Sequence, residues 1–136
     1  MLIVDTGVIV AAADRDDRHY DEALESLASE AGPLVTTTMV IAEAAYLLDR
    51  ELGPVAEASL YQSIIDGQLR VEMLGNVDWR RIRELVETYA DLRLGGTDAS
   101  LIAIAERLGA TKVATFNHRD FRVVRPTHCD AFELVP

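Results

Sequence analysis

Asp5, Glu43 and Asp98 are the residues of this chain whose types and placement could do chemistry together, with the amide of Asn117 as a weaker fourth member. Glu43 makes the case first. It sits in a run that reads as a helix, residues 38–50, and its neighbours three and four positions away are Met39, Val40, Tyr46 and Leu47. Those positions share a helical face with it, so the spacing predicts a carboxylate set among apolar and aromatic side chains. Desolvating a lone charge is costly, and such a group is neutralised, paired or given a metal. Carboxylates that converge cannot all stay ionised without a cation. Oxygen donors without a His or Cys cluster select Mg2+, with Mn2+ as a substitute, over Zn2+. His19, His118 and His128 lack ligand spacing and read as surface residues. Mg2+ held by few carboxylates keeps several waters and suits phosphate substrates, so the chemistry expected is metal-assisted hydrolysis of a phosphodiester.

Taken singly, three of these residues also have structural readings. Asp5 could form an Asx-turn with Gly7. Asp98 could be a first-turn acid that complements the helix dipole behind a Thr97 cap. Asn117 could simply form a turn. The set says more than its members, because the elements around it carry all four to one place.

Those elements alternate. Leu2-Ile-Val4 is continuously apolar and stops at Asp5-Thr6-Gly7, the pattern of a short buried parallel strand. Further strands are expected at 34–36, 69–73, 113–115 and 122–124. Helices are expected from residue 7 to 13 and over 19–31, where Ala23, Leu24, Leu27 and Ala28 point inward before Pro33. Residues 38–50 follow, closed by Gly53-Pro54, then 55–66 and 78–90, with Ile82, Leu85, Val86 and Tyr89 at helical spacing. The last helix, 98–108, carries Leu101, Ile102, Ala105 and Leu108 on one face and stops at Gly109. Such alternation predicts an α/β sandwich around a short, mostly parallel central sheet flanked by helices. Ligands collect outside the carboxyl ends of such strands. Asp5 ends the first strand, Asn117 follows the strand at 113–115, and Asp98 opens a helix after Leu94-Gly-Gly-Thr97.

With 136 residues, 49% of them apolar, the chain suits one domain over 1–136 that can bury a core and has no reason to stay disordered. No apolar run approaches the roughly 18 residues of a membrane span, and Met1-Leu-Ile-Val-Asp5 has neither the basic flank nor the cleavage site of a signal peptide. A single cysteine, Cys129, excludes an internal disulfide framework and reads as an inert buried thiol; the expected compartment is the reducing cytoplasm. The net charge of -10 is uneven: residues 1–68 hold 13 acidic and 3 basic side chains, residues 69–136 hold 10 of each. A blanket basic surface for nucleic acid is therefore excluded, while a local arginine path over Arg93, Arg119, Arg122 and Arg125 is not.

Four segments carry a resemblance to a known family. They are Leu2-Ile-Val-Asp5-Thr6, Thr36-Thr-Thr-Met-Val-Ile-Ala-Glu43, the stretch from Asp98 to Gly109, and Val113-Ala-Thr-Phe-Asn117-His-Arg-Asp-Phe121. In order and spacing they resemble a PIN-domain ribonuclease, specifically a VapC-type toxin of a toxin–antitoxin pair. The resemblance implies a three-layer PIN-like sandwich, a Mg2+-dependent endoribonuclease acting on a structured cellular RNA, a homodimer, and a cognate antitoxin whose tail blocks the acidic site. Residue by residue, it places Asp5, Glu43 and Asp98 at the catalytic metal site. It makes Thr6 the small polar residue that orients the first acid. Where the family commonly has a fourth acid this chain has Asn117, whose amide oxygen can still bind a hard cation but adds no charge, so a second metal should bind more weakly. Asp120, three residues on, could substitute for it, but the favoured reading is a cap or a partner of a nearby arginine. Exposed Tyr61 and Trp79 are candidate dimer anchors, although core packing explains them equally well.

Two other classes compete. Val4-Asp-Thr-Gly7 also matches the triplet of aspartic proteases, which need two such aspartates sharing a proton; the mostly helical remainder argues against it. A housekeeping PIN-like nuclease, or a PIN-fold binding module weakened by Asn117, is the other alternative, and three intact acids argue against the binding module.

Overall fold

A computed structural model describes residues 1–136. Its twelve elements are β1 (Leu2–Val4), α1 (Thr6–Ala13), α2 (Tyr20–Ala28), β2 (Leu34–Thr37), α3 (Thr38–Leu52), α4 (Pro54–Ile65), β3 (Arg70–Glu72), α5 (Asn76–Thr88), α6 (Gly96–Leu108), β4 (Lys112–Ala114), α7 (His118–Val123) and β5 (Glu133–Val135). The five strands form one sheet in the order β3-β2-β1-β4-β5, every neighbouring pair parallel. From β1 the chain steps outward to β2 and β3, then returns to the other side of β1 for β4 and β5. The reversal leaves a crevice outside the carboxyl ends of β1 and β4, the place where open parallel sheets receive ligands.

Strand composition follows from this burial. Leu2, Ile3 and Val4 have no exposed surface, as expected of a central strand covered on both faces. Helices α1 and α3 pack on each other, α2 on α1 and α4 on α3; α5 and α6 pack together as a second group. Helix α6 is buried on every side for two turns, Ala99 to Ala105 with only Ser100 polar, so it is a core element rather than the one-sided helix its spacing predicts. Gly109 ends it in a left-handed conformation at φ 68, which a side chain adopts only with strain. At its other end, Gly96 lets α3 approach closely: a Cβ there would stand 3.3 Å from Met39 Cε.

Two expectations fail. The strand expected at 122–124 is the end of helix α7, and the edge strand is instead Glu133–Val135. Phe121 and Val124 are buried three residues apart while Val123 faces solvent, which is helical spacing disguised by two adjacent β-branched residues. Helix α2 stops at Ala28, and its inward side is Ala23, Ser26 and Leu27, with Leu24 and Ala28 exposed. Ser26 can be buried because its hydroxyl donates to the Ala23 carbonyl at 2.9 Å.

Ion pairs tie the second helical group to the sheet edge. Arg81 grips Glu106 with two bonds of 2.8 and 2.9 Å. Arg107 donates Nε to Asp78 at 3.0 Å and Nη1 to Glu72 at 3.1 Å. Asp78 is the buried member, and its second oxygen accepts from the Gly75 amide at 2.9 Å to cap α5. Replacing Asp78 with Ala removes the cap and leaves the Arg107 Nε without its acceptor. The expected loss is about 1–3 kcal/mol, read as a lower urea midpoint at unchanged slope; a midpoint equal to the parent's would contradict this account.

Candidate active site

The crevice is acid-lined, and each acid arrives on a different element. Asp5 is the first residue beyond β1 and the N-cap of α1. Its amide continues the ladder to the Ala114 carbonyl at 3.0 Å. Its carboxylate is held at both oxygens: Oδ1 accepts from the Thr6 amide at 2.6 Å, and Oδ2 accepts from the Thr115 hydroxyl at 2.7 Å. The carboxylate is buried, and that burial raises its pKa above the usual range; the two hydrogen bonds oppose the rise and the charge of Glu43 adds to it.

Thr6 lies in the first turn of α1, and its hydroxyl donates to Glu43 Oε2. Thr6 thus bridges two acids, its amide on Asp5 and its hydroxyl on Glu43. Glu43 itself is not buried. The inward stripe of α3 is Val40, Ala44, Ala45 and Leu48, and Glu43 falls beside it at the mouth of the crevice. Of the neighbours that predict an apolar setting, Tyr46 is 64% exposed and lies against solvent with Arg50 over its ring. A helical wheel gives the face, but what covers that face is decided by the other elements, and here a cleft does not cover it.

Asp98 stands half-buried in the first turn of α6, whose N-cap is Gly95 and not Thr97. Its carboxyl is pushed up to about 7, first by burial and then by the negative charge of Asp5, with smaller contributions from Asp120 and Glu43; the amide of Asn117 opposes the rise. The influence of three other acids on one carboxyl is the electrostatic signature of convergence. Asn117 sits between β4 and α7, its backbone amide held by Thr115 Oγ1 at 2.9 Å. Its side-chain amide donates to Asp98 Oδ2 at 3.1 Å and to Asp120 Oδ2 at 2.9 Å. Asp120 thus joins the cluster from the first turn of α7 and does not serve as a cap; Arg119 reaches it only loosely, at 3.8 Å.

Thr115 has no role in the sequence reading, yet it links Asp5 to the Asn117 loop. The available signal is a polar residue closing the apolar strand Val113-Ala114, at the same level of the sheet as Asp5. The arginines divide. Arg125 folds back on the carbonyls of Arg122, Val123 and Val124 and closes the end of α7. Arg93 and Arg122 are exposed and form no ion pair, and Arg93 holds a left-handed backbone at φ 55 just before α6. His128 meets the Ala110 carbonyl far from the acids, and half-buried Cys129 stands beside it.

All side-chain donors in the crevice are oxygens apart from one amide, the set suited to a hard cation. The acids do not close into a ready-made cage of three ligands.

An acid-lined crevice at the switch point of a five-stranded parallel sheet defines a class of protein, and comparison names the family. The PIN domain profile matches residues 2–125, and the chain belongs to the PIN domain family. It is 27% identical over 135 residues to ribonuclease VapC26 of Mycobacterium tuberculosis, covering 99% of this chain and all of that one. Its fold is similar to M. tuberculosis VapC20, described as a sarcin–ricin loop cleaving toxin, with a TM-score of 0.81, 21% identity, and 87% and 91% of the two chains covered. It is also similar to a structure of VapBC2 from Rickettsia felis bound to a DNA fragment from its promoter, with a TM-score of 0.70, 18% identity, and 99% and 98% covered. The resemblance carried by the four sequence segments therefore holds along the chain. No helix is long and apolar enough to cross a membrane.

The raised carboxyls set a pH dependence in metal-free protein. Asp98 binds its proton more tightly folded, near 7, than unfolded, near 3.8, so between those values the folded state holds more protons. Stability from this group is then greatest below about pH 4 and falls as pH rises to about 7, with Asp5 acting in the same direction. In EDTA, the melting temperature of Asp98→Asn relative to the parent should rise steadily between pH 4 and 7. A difference that stays flat across that range would remove the basis for the acid cluster.

Proposed function

We propose that this protein is a VapC-type toxin, a Mg2+-dependent endoribonuclease that hydrolyses phosphodiester bonds of a structured cellular RNA in the cytoplasm. The observation that carries the reading is the convergence of Asp5, Glu43, Asp98 and Asp120 on one crevice, felt at Asp98 as repulsion from the other three. Asp5, Asp98 and Glu43 would hold the cation, directly or through its waters, and the amide oxygen of Asn117 could add a neutral donor. Asp120 restores the charge that Asn117 lacks.

A bound divalent cation supplies neutralisation of the phosphate charge and a water made acidic enough to attack at neutral pH. The protein's own groups prepare that site. The Thr115 and Thr6 bonds fix both oxygens of Asp5 before any ligand arrives, so no reorientation is needed on binding. The Thr6 hydroxyl does the same for Glu43. The crevice repels a polyanion without the ion, so binding of RNA and of cation should be mutually supportive.

The chain would act as a single nuclease domain over residues 1–136 and as a homodimer. Trp79 and Tyr61, about half exposed, are candidate anchors for that contact. A cognate antitoxin would silence it, since clustered carboxylates without metal attract a guanidinium in bidentate geometry. Toxin–antitoxin complexes among the structural neighbours, one from Klebsiella pneumoniae, support that partner. RNA would cross the exposed Arg93, Arg119 and Arg122, with the scissile phosphate over Asp5 and Asp98.

Asp5→Ala and Asp98→Ala should abolish Mg2+-dependent RNA cleavage while the circular dichroism spectrum stays that of the parent. Undiminished cleavage by Asp98→Ala would refute the site. Thr115→Val, which leaves all the acids in place, should lower metal affinity or activity by roughly 10–100-fold. For the RNA path, Arg93→Ala and Arg119→Ala in an inactive background should each reduce the salt dependence of affinity by about one unit of slope. Unchanged slopes in both would move the RNA elsewhere and leave the nuclease reading intact.

A further inference from the structure

One feature beside the acids serves none of the roles above. Phe116 lies between the two residues that grip the acid cluster, Thr115 and Asn117, and turns its half-buried ring over the start of α1, where a Cβ on Gly7 would meet its Cδ2 at 3.5 Å. On that ring stacks the imidazole of His19, with centroids 4.4 Å apart and planes 29° from parallel. His19 comes from the turn before α2, a segment that takes no other part in the crevice.

The imidazole is held by its edges. Arg18 Nε donates to Nε2 at 2.9 Å, which puts the ring proton on Nδ1, and Nδ1 meets Glu22 Oε2 at 3.0 Å. The Asp17 carboxylate accepts from the His19 backbone amide at 2.7 Å and fixes the turn beneath it. Both ring nitrogens are thus occupied in the plane, one face is covered by Phe116, and the side chain still keeps 34% of its surface open. Arg18 spends only Nε on this contact and forms no ion pair, so its terminal nitrogens remain free. A residue needed only for packing has no reason to be fixed on two edges with surface left exposed. A flat, pre-oriented π surface beside a free guanidinium at the rim of a phosphate site is what an unpaired nucleobase and its phosphate require.

We propose that His19 and Phe116 form a ledge on which an unpaired base next to the scissile phosphate stacks, with Arg18 contacting the adjoining phosphate. The inference rests on the nuclease reading and adds to it how the substrate is chosen: the cleaved segment must offer a splayed base, as a loop or bulge does and a duplex does not. These residues position the substrate and do not touch the reacting atoms. Arg18 also extends the expected phosphate path, read from the sequence over the arginines of the second half alone, to one arginine of the acidic first half.

The test uses a short unstructured RNA with 2-aminopurine at one position, and the same RNA with that position abasic, titrated with Mg2+ present in the inactive Asp98→Ala background so that nothing is cleaved. His19→Leu and Phe116→Leu keep apolar volume and lose the π face. Each should weaken binding of the intact RNA by roughly 5- to 150-fold, the range for one base–aromatic stack, and leave the abasic RNA unaffected. His19→Phe restores the π face without the edge bonds and should recover most of the affinity and the 2-aminopurine quenching. Equal affinities for parent and both Leu variants, equal losses on intact and abasic RNA, or no binding by the parent would each overturn the ledge. Cleavage is scored separately with Mg2+. A parent that cleaves while the Leu variants bind and cleave unchanged refutes the ledge alone, and a parent that stacks the base but cleaves nothing refutes the nuclease alone.

Discussion

Mutual repulsion among carboxylates at the end of a buried strand is the constraint on which the rest of the structure turns. Asp5 has the least freedom, because β1 is covered on both faces and its last residue must project where the sheet ends. Two hydroxyls and a backbone amide answer the problem: Thr115 and the Thr6 amide hold Asp5, while the Thr6 hydroxyl holds Glu43. The Asn117 amide separates Asp98 from Asp120 by donating to both. The crevice is thereby kept open, while burial and repulsion are partly relieved by the raised proton affinity of Asp5 and Asp98. A site ready for a cation is necessarily strained without one.

The scaffold is arranged to bear that strain. Helix α6, buried around its circumference, anchors the turn that carries half-buried Asp98, and Gly96 in that turn leaves room for the tip of Met39 from α3. The Arg81–Glu106 and Arg107–Asp78 pairs clamp α5 to α6 at the opposite side from the acids. Their cost in desolvation is limited because each retains a partly exposed partner. Phe116 belongs to the same economy of position: one loop of three residues, Thr115 to Asn117, supplies a grip on Asp5, an aromatic ring at the rim, and the divider between two acids.

Asn117 illustrates how a substitution in a charged cluster can be absorbed. An amide brings no negative charge, but Asp120 enters from the first turn of α7 and the amide serves as donor between Asp98 and Asp120. Reading Asp120 as a cap or as the partner of an arginine underestimates it. Arg119 stands 3.8 Å away with most of its side chain in water, too loose to compete with a 2.9 Å hydrogen bond.

The sequence by itself determined the fold class, the strand–helix alternation and the acids Asp5, Glu43 and Asp98, because buried strands and helix periodicity leave local marks in Leu2-Ile-Val4 and in the spacing of α3 and α6. It could not decide what covers each face. Glu43 has apolar neighbours on its helix yet faces a cleft, since burial depends on which element lies opposite. Val123-Val124 has strand-like residues yet ends a helix, since Phe121 and Val124 find the core only at helical spacing. The partners of the acids were beyond reach for the same reason. Thr115 is 110 residues from Asp5, and His19 is likewise remote in sequence from Phe116. Only the parallel register of β1 with β4, and the turn that lays α2 beside it, bring those groups within bonding distance.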